Sequence, residues 1–281
     1  MVSIPKTTPS FMGPVALGGD APPVLIAGPC IAEHEDMART YATRLKAMAA
    51  RHGFPFVFKA SYDKANRTSG QSYRGPGAKE GLQFLARVRK EVGVPLLTDV
   101  HETSQVELAA EAADVLQVPA FLCRQTDLVE ACARTGRALN IKKGQFLAPD
   151  DVPHILDKAR ESGAANLSIT ERGTTFGYHN LVVDMRGLWL MRQFNAPVIF
   201  DATHSVQLPG AAGGKSGGQR EMVAPLARAA AAVGVDGFYM EVHENPAVAK
   251  SDGPNALTFE MLDELLVDLA AICRAVGRLP A

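Results

Sequence analysis

Eight short apolar runs recur along this 281-residue chain, spaced so that a helix fits between each neighbouring pair. They fall at residues 24–27, 56–59, 95–100, 115–118, 138–142, 167–170, 197–201 and 237–242. Each has the length of a strand and is rich in Val, Ile, Leu or Phe. The runs are continuous rather than alternating, as expected for a parallel sheet covered on both faces. Between them, Leu82, Leu85, Val88 and Val92 recur at helical spacing, as do Leu262, Leu265, Leu266, Leu269 and Ile272. Further helices are expected to begin near Asp36, Thr103, Thr126, Met185 and Glu221. Ala148-Pro149-Asp150-Asp151 and Ser251-Asp252-Gly253-Pro254 read as loops leading into helices. Eight strands alternating with eight helices predict an α/β fold, a (β/α)8 TIM barrel, as a single domain over residues 1–281. Residues 1–22 form an N-terminal extension placed to cap the N-terminal end of the barrel. A doubly wound open sheet is the alternative, but no strand is followed by GxGxxG, so the dinucleotide fingerprint is absent.

Composition narrows the function classes. Lys and Arg total 29 against 30 Asp and Glu, so no overall field attracts nucleic acid. No apolar run approaches the length of a membrane span, and MVSIPKTTPSFMGP is not a secretory signal. The four cysteines, Cys30, Cys123, Cys132 and Cys273, are widely spread and form no CxxC. Free thiols in a reducing cytosol are the expectation.

In a barrel of this kind, chemistry sits at the C-terminal ends of the strands. Those ends carry Cys30; Lys59 and Ser61; Asp99 and His101; Gln117; Lys142; Glu171 and Arg172; Asp201 and His204; Glu241 and His243. Lys59, Lys64, Arg67, Lys142 and Arg172 would repel one another at one mouth unless anionic ligands fill the space between them. Ion pairs with Asp99, Glu171 and Glu241 are the structural alternative. Cys30, His204, Glu241 and Asp252 offer a thiolate, an imidazole and two carboxylates. That donor set suits Zn²⁺, Fe²⁺, Mn²⁺ or Co²⁺ rather than Mg²⁺ or Ca²⁺. A buried thiol and a general acid/base histidine explain two of these residues equally well. Pro209-Gly210-Ala211-Ala212-Gly213-Gly214-Lys215-Ser216 misses the phosphate loop GxxxxGK[ST] only at its first Gly, so a P-loop NTPase is a competing reading.

The segment Lys59-Ala60-Ser61-Tyr62-Asp63-Lys64-Ala65-Asn66-Arg67-Thr68-Ser69, followed by Ser72-Tyr73-Arg74-Gly75-Pro76-Gly77, closely resembles the signature of the 3-deoxy-D-manno-octulosonate 8-phosphate synthases, also called 2-dehydro-3-deoxyphosphooctonate aldolases. Four further segments look like the same family: Thr98-Asp99-Val100-His101-Glu102, Gln117-Val118-Pro119-Ala120-Phe121-Leu122, Ile141-Lys142-Lys143-Gly144-Gln145 and Asp201-Ala202-Thr203-His204-Ser205-Val206-Gln207. The resemblance runs in order over nearly the whole barrel. Related synthases that make seven-carbon shikimate precursors carry a KPRTS-like loop where this chain has KANRTS.

The resemblance implies a cytoplasmic, tetrameric enzyme of lipopolysaccharide biosynthesis. Such an enzyme condenses phosphoenolpyruvate with D-arabinose 5-phosphate and water, giving the eight-carbon sugar acid phosphate and inorganic phosphate. It implies that Lys59, Lys64, Lys142 and Arg172 hold the phosphoenolpyruvate end, and that Asn66 and Arg67 contact the pentose and its phosphate. Ser61, Asp99, Gln117 and Gln207 complete the pocket, and Phe121 lies near a subunit interface. One class of the family uses no metal and has Asn where this chain has Cys30. The other binds a divalent metal, and Cys30, His204, Glu241 and Asp252 match it at all four positions. By the same resemblance Lys59, Lys64, Asp99, Lys142, His204 and Asp252 are the catalytic group. A class I aldolase with a nucleophilic lysine and a sugar-phosphate binding protein on the same barrel are the competing readings. Partners are small molecules, with no nucleic acid and no membrane.

Overall fold

The structure is a computed structural model, and it describes residues 4–66, 70, 73–210 and 217–280. Eight parallel strands close into a barrel: β1 (Val24–Gly28), β2 (Phe56–Lys59), β3 (Leu96–Asp99), β4 (Val115–Val118), β5 (Ala138–Lys142), β6 (Leu167–Glu171), β7 (Val198–Asp201) and β8 (Gly237–Glu241). Each pairs with the next, and β8 returns to β1 with Glu241 opposite Gly28. Eight helices surround it: α1 (Glu35–His52), α2 (Ala78–Val92), α3 (Val106–Ala112), α4 (Thr126–Arg134), α5 (Val152–Glu161), α6 (Met185–Arg192), α7 (Val223–Val233) and α8 (Phe259–Ala275). The expected barrel is therefore the observed fold, and the open sheet is excluded by closure. Helices expected at Thr103 and Glu221 begin one turn later. There the chain first makes a 3-10 turn, at Thr103–Gln105 and Arg220–Met222.

Alternation along the strands explains both layers of the core. Leu25, Ala27, Phe56, Phe58, Leu96 and Leu116 face outward and pack under the helices. Val24, Ile26, Val57, Leu97, Val115 and Ile199 face the barrel axis and form a separate cluster with Met12 and Leu17. Those last two belong to a hairpin of the N-terminal extension, Ser10–Met12 paired with Val15–Leu17. The extension thus fills the N-terminal end of the barrel, as the sequence suggests. Buried charge fixes it there. Asp236 accepts hydrogen bonds from Thr7 Oγ1 at 3.4 Å, from the Val198 amide at 2.8 Å and from Arg278 at 2.7 Å, and is also paired with Arg192. Arg192 in turn donates to the Pro5 carbonyl at 2.9 Å.

Leu17 is fully buried in this plug. Leu17→Ala should lower unfolding free energy by about 2–5 kcal/mol through lost contacts and a cavity. Urea unfolding of the variant beside wild type measures the loss.

Candidate active site

The next inward-facing residues along the strands are polar. The period-2 rule carries Val57 to Lys59, Leu97 to Asp99, Val115 to Gln117, Asn140 to Lys142, Ile199 to Asp201 and Tyr239 to Glu241. The axis therefore changes from an apolar floor to charged groups within two residues. A cavity of about 550 Å³ opens above them. Its lining includes Lys59, Lys64, Asn66, Asp99, Gln117, Phe121, Lys142, Arg172, His204, Gln207 and Asp252. Ser61, Cys30 and Glu241 sit just behind that lining, bonded to residues in it. Arg67 lies outside the described residues, as does the greater part of the Gly-rich segment, 211–216.

Two buried ion pairs anchor the mouth. Lys59 Nζ donates to Glu241 Oε1 and to the Cys30 carbonyl, each at 2.9 Å. Burial alone would lower the Lys59 pKa, but the nearby carboxylates, Glu241 foremost and Asp99 behind it, outweigh it and the net shift is upward. Lys142 Nζ donates to Asp201 Oδ2 at 2.6 Å. Here burial wins and the Lys142 pKa falls, although Asp201 opposes the change. Of the three carboxylates offered as ion-pair partners Glu241 takes Lys59, whereas Lys142 pairs with Asp201. Lys64 donates to Ser61 Oγ at 2.8 Å, and Ser61 Oγ donates to Asp99 Oδ1. Burial would raise the Asp99 pKa, but Lys64 and His101 hold it well below the usual carboxylate range. Arg172 is buried and donates to Gln207 Oε1 at 2.5 Å, yet its Nη1 has no partner among the described residues. An unpartnered guanidinium nitrogen in a closed site is costly unless a ligand anion meets it.

The donor atoms foreseen for a metal converge in part. Ligand atoms of Cys30, Glu241 and Asp252 lie within 4.8 Å of one another. Cys30 Sγ is 3.2 Å from Asp252 Oδ2 and 2.8 Å from Ser251 Oγ. His204 stands at the edge of this group, its Nε2 3.5 Å from Glu241 Oε1. Its Nδ1 is 2.7 Å from Asp201 Oδ2, so Asp201 selects the tautomer whose Nε2 lone pair is free. Two local features bring Cys30 and Asp252 here. A Cβ on Gly28 would stand 1.9 Å from the Lys59 carbonyl, so only glycine lets the end of β1 pass β2 this closely. Asp252 takes φ 48°, a left-handed backbone that non-glycine residues rarely adopt.

Two strand-end residues do not reach the cavity. Glu171 Oε1 accepts from the backbone amides of Arg172 and Gly173, at 2.9 and 2.6 Å. His243 is turned outward: its amide donates to Leu257 O at 2.9 Å, and its ring meets Tyr41 edge-on. The strand ends at Glu241, so the alternation no longer governs His243. Asp201, by contrast, is read from sequence only as a strand end, yet it contacts both Lys142 and His204.

A model of the DAHP synthetase I family matches residues 3–274. A 2-dehydro-3-deoxyphosphooctonate aldolase of Paraburkholderia xenovorans (strain LB400) is 56% identical over 275 residues, covering 96% of this chain and 97% of that one. One from Geotalea daltonii is 56% identical over 261 residues, covering 93% and 96%. One from Azoarcus sp. (strain BH72) is 58% identical over 258 residues, covering 91% and 92%. The chain belongs to the DAHP synthetase I family, among its 2-dehydro-3-deoxyphosphooctonate aldolases. Membership removes the P-loop reading, since the Gly-rich segment falls between β7 and α7 of a barrel enzyme family rather than after a nucleotide-binding strand. No helix among the described residues is long and apolar enough to cross a membrane.

Proposed function

We propose that this chain condenses phosphoenolpyruvate with D-arabinose 5-phosphate and water, giving 3-deoxy-D-manno-octulosonate 8-phosphate and inorganic phosphate. The observation that carries the reading is the cationic wall of one cavity: Lys59, Lys64, Lys142 and Arg172, with Arg172 Nη1 unpartnered among the described residues. Phosphoenolpyruvate brings a phosphate and a carboxylate to such a wall, and the pentose brings a second phosphate.

In this reading Lys59, Lys64, Lys142 and Arg172 hold the phosphoenolpyruvate. Asn66 and Arg67 hold the pentose phosphate, and Ser61, Asp99, Gln117 and Gln207 set the orientation of the two substrates. C3 of phosphoenolpyruvate then bonds to the aldehyde carbon, and water adds at C2. Loss of the phosphate by C–O cleavage completes the reaction. The fixed cations favour the negative charge that gathers on the phosphate-bearing centre. Asp99 keeps Ser61 and, through it, Lys64 in place.

Cys30, Glu241 and Asp252, with His204 Nε2, would hold a divalent transition ion. The donor set fits, because a thiol 3.2 Å from a carboxylate and beside a second one is a ready chelate for a borderline-soft cation. Such an ion supplies Lewis-acid polarisation of an aldehyde or a water. Phe121, more than half exposed at the rim, suits a contact between subunits of a cytoplasmic homotetramer.

Release of phosphate from the two substrates together, and from neither alone, tests the reaction; no release from the pair would refute it. Borohydride should trap no substrate adduct, which separates the reaction from a lysine Schiff-base aldolase. A sugar-phosphate binding protein would bind both ligands without releasing phosphate. Arg67→Ala should raise KM for arabinose 5-phosphate roughly ten- to a hundredfold, the loss of one charge-assisted contact. KM for phosphoenolpyruvate should change far less, and equal effects would reassign Arg67.

A further inference from the structure

Tyr239 is the inward residue of β8 directly below Glu241, and it is fully buried. Its ring belongs to the apolar floor, packed with Ile26, Val57, Leu97 and the plug residues Met12 and Leu17. It also borders the cavity above. Lys142 Nζ lies over the ring, 3.9 Å from its centroid, and Lys59 Nζ lies 5.5 Å away. The His204 ring is 5.7 Å distant and tilted by 50°. Among the described residues, Tyr239 is thus the one axis residue of the hydrophobic floor that also borders the charged mouth.

We infer that the Tyr239 ring face is a positioning element for Lys142, holding its ammonium ready for the phosphoenolpyruvate anion. This rests on the reading of Lys142 as a phosphoenolpyruvate contact. The physical case is one of charge economy within the site. A buried ammonium needs stabilisation, and Asp201 supplies one carboxylate at 2.6 Å. A second carboxylate would repel the phosphate and carboxylate of the incoming substrate. The negative face of an aromatic ring stabilises the cation without a formal charge. It also occupies no strong acceptor position, so N–H donors of Lys142 stay available to the ligand. The ring cannot swing away, because its floor side is packed against the N-terminal plug.

The test compares Tyr239→Phe with Tyr239→Leu in the full-length, metal-loaded protein. The phenyl ring keeps the face and loses only the hydroxyl, so Tyr239→Phe should keep wild-type KM values. Tyr239→Leu should raise KM for phosphoenolpyruvate on the order of tenfold or more, the loss of a desolvated cation–π contact. KM for arabinose 5-phosphate should move little. A purely structural role would not produce this split. Should the Leu variant fold poorly, phenylalanines of increasing fluorination at position 239 remove ring charge at nearly constant size. KM for phosphoenolpyruvate should then climb stepwise with fluorination. Equal rises in both KM values, a Leu variant with wild-type kinetics, or no trend with fluorination would each overturn the inference. A wild type that releases no phosphate from the two substrates would instead refute the proposed reaction itself.

Discussion

Stripping the protein with a chelator should abolish phosphate release, and adding back a divalent transition ion should restore it. Cys30 is the residue on which this result turns. Its thiol is buried, and burial together with the Glu241 and Asp252 charges pushes its pKa well above that of a free thiol. Without a cation the sulfur therefore stays protonated and donates toward neighbouring oxygens. Binding a metal there must displace that proton. Cys30→Ala removes one of the anionic donors and should bind metal weakly and turn over little. Cys30→Asn is the sharper variant. Asn is similar in length and neutral, and its amide offers hydrogen bonds in the space the cation would fill. The resemblance assigns Asn to this position in the metal-free class. Cys30→Asn should keep measurable activity that chelators do not reduce, below wild type because the surrounding carboxylates remain. Metal content measured alongside phosphate release gives a readout independent of turnover. A wild type that stays fully active after verified removal of metal would refute the metal reading.

The barrel was legible because both faces of its sheet are covered, which makes most strands near-continuous apolar runs; β5 and β6 interrupt theirs with Asn140, Ser168 and Thr170. The same continuity hid the axis. Within 237–242 the run offers Phe238, Tyr239 and Met240 as equivalent apolar residues, and only closure shows that Tyr239 faces the centre while Phe238 packs under helices. Strand ends pointed to Lys59, Asp99, Lys142 and Glu241, since a polar residue closing an apolar run is visible without coordinates. The side toward which an end residue turns was not visible. His243 and Glu171 left the cavity because the strand register had already ended or because nearby amides claimed the carboxylate. The convergence of Cys30 with Asp252 follows from β1 meeting β8, a contact between the two ends of the sheet that no local spacing encodes. The two short antiparallel pairs, Thr174–Thr175 with Leu181–Val182 and Gln207–Leu208 with Gly217–Gly218, carry too few residues to mark a periodicity.

Lys59→Met should cost stability as well as activity. Lys59 and Glu241 are almost completely buried and 2.9 Å apart. In the metal-free protein, removing the ammonium leaves a carboxylate in a low-dielectric interior with Lys64 and the His204 ring as its remaining favourable neighbours. Breaking a buried pair from one side costs about 3–5 kcal/mol. The loss should depend on pH in a definite direction. Burial alone would raise the Glu241 pKa, but His204, Lys59 and Lys64 overcome it and hold the carboxyl below its usual range. A depressed carboxylate contributes stability above its unfolded pKa of about 4.3, and that contribution is lost as pH falls. Removing Lys59 raises the folded pKa and shrinks the contribution. The stability gap between variant and wild type should therefore be widest near neutral pH and narrow in acid. The double variant Lys59→Met with Glu241→Leu separates folding from function. With both charges gone, no unpaired ion remains, and replacing a buried pair by apolar groups of similar volume is often neutral or better. The double variant should recover most of the lost stability and stay inactive, since the proposed substrate contact and the proposed metal donor are both missing. Denaturant unfolding across pH, paired with phosphate release, reads the two outcomes separately. A single variant as stable as wild type at neutral pH would show that the ion pair contributes nothing net to the fold, and a double variant that turned over substrate would remove both residues from the chemistry.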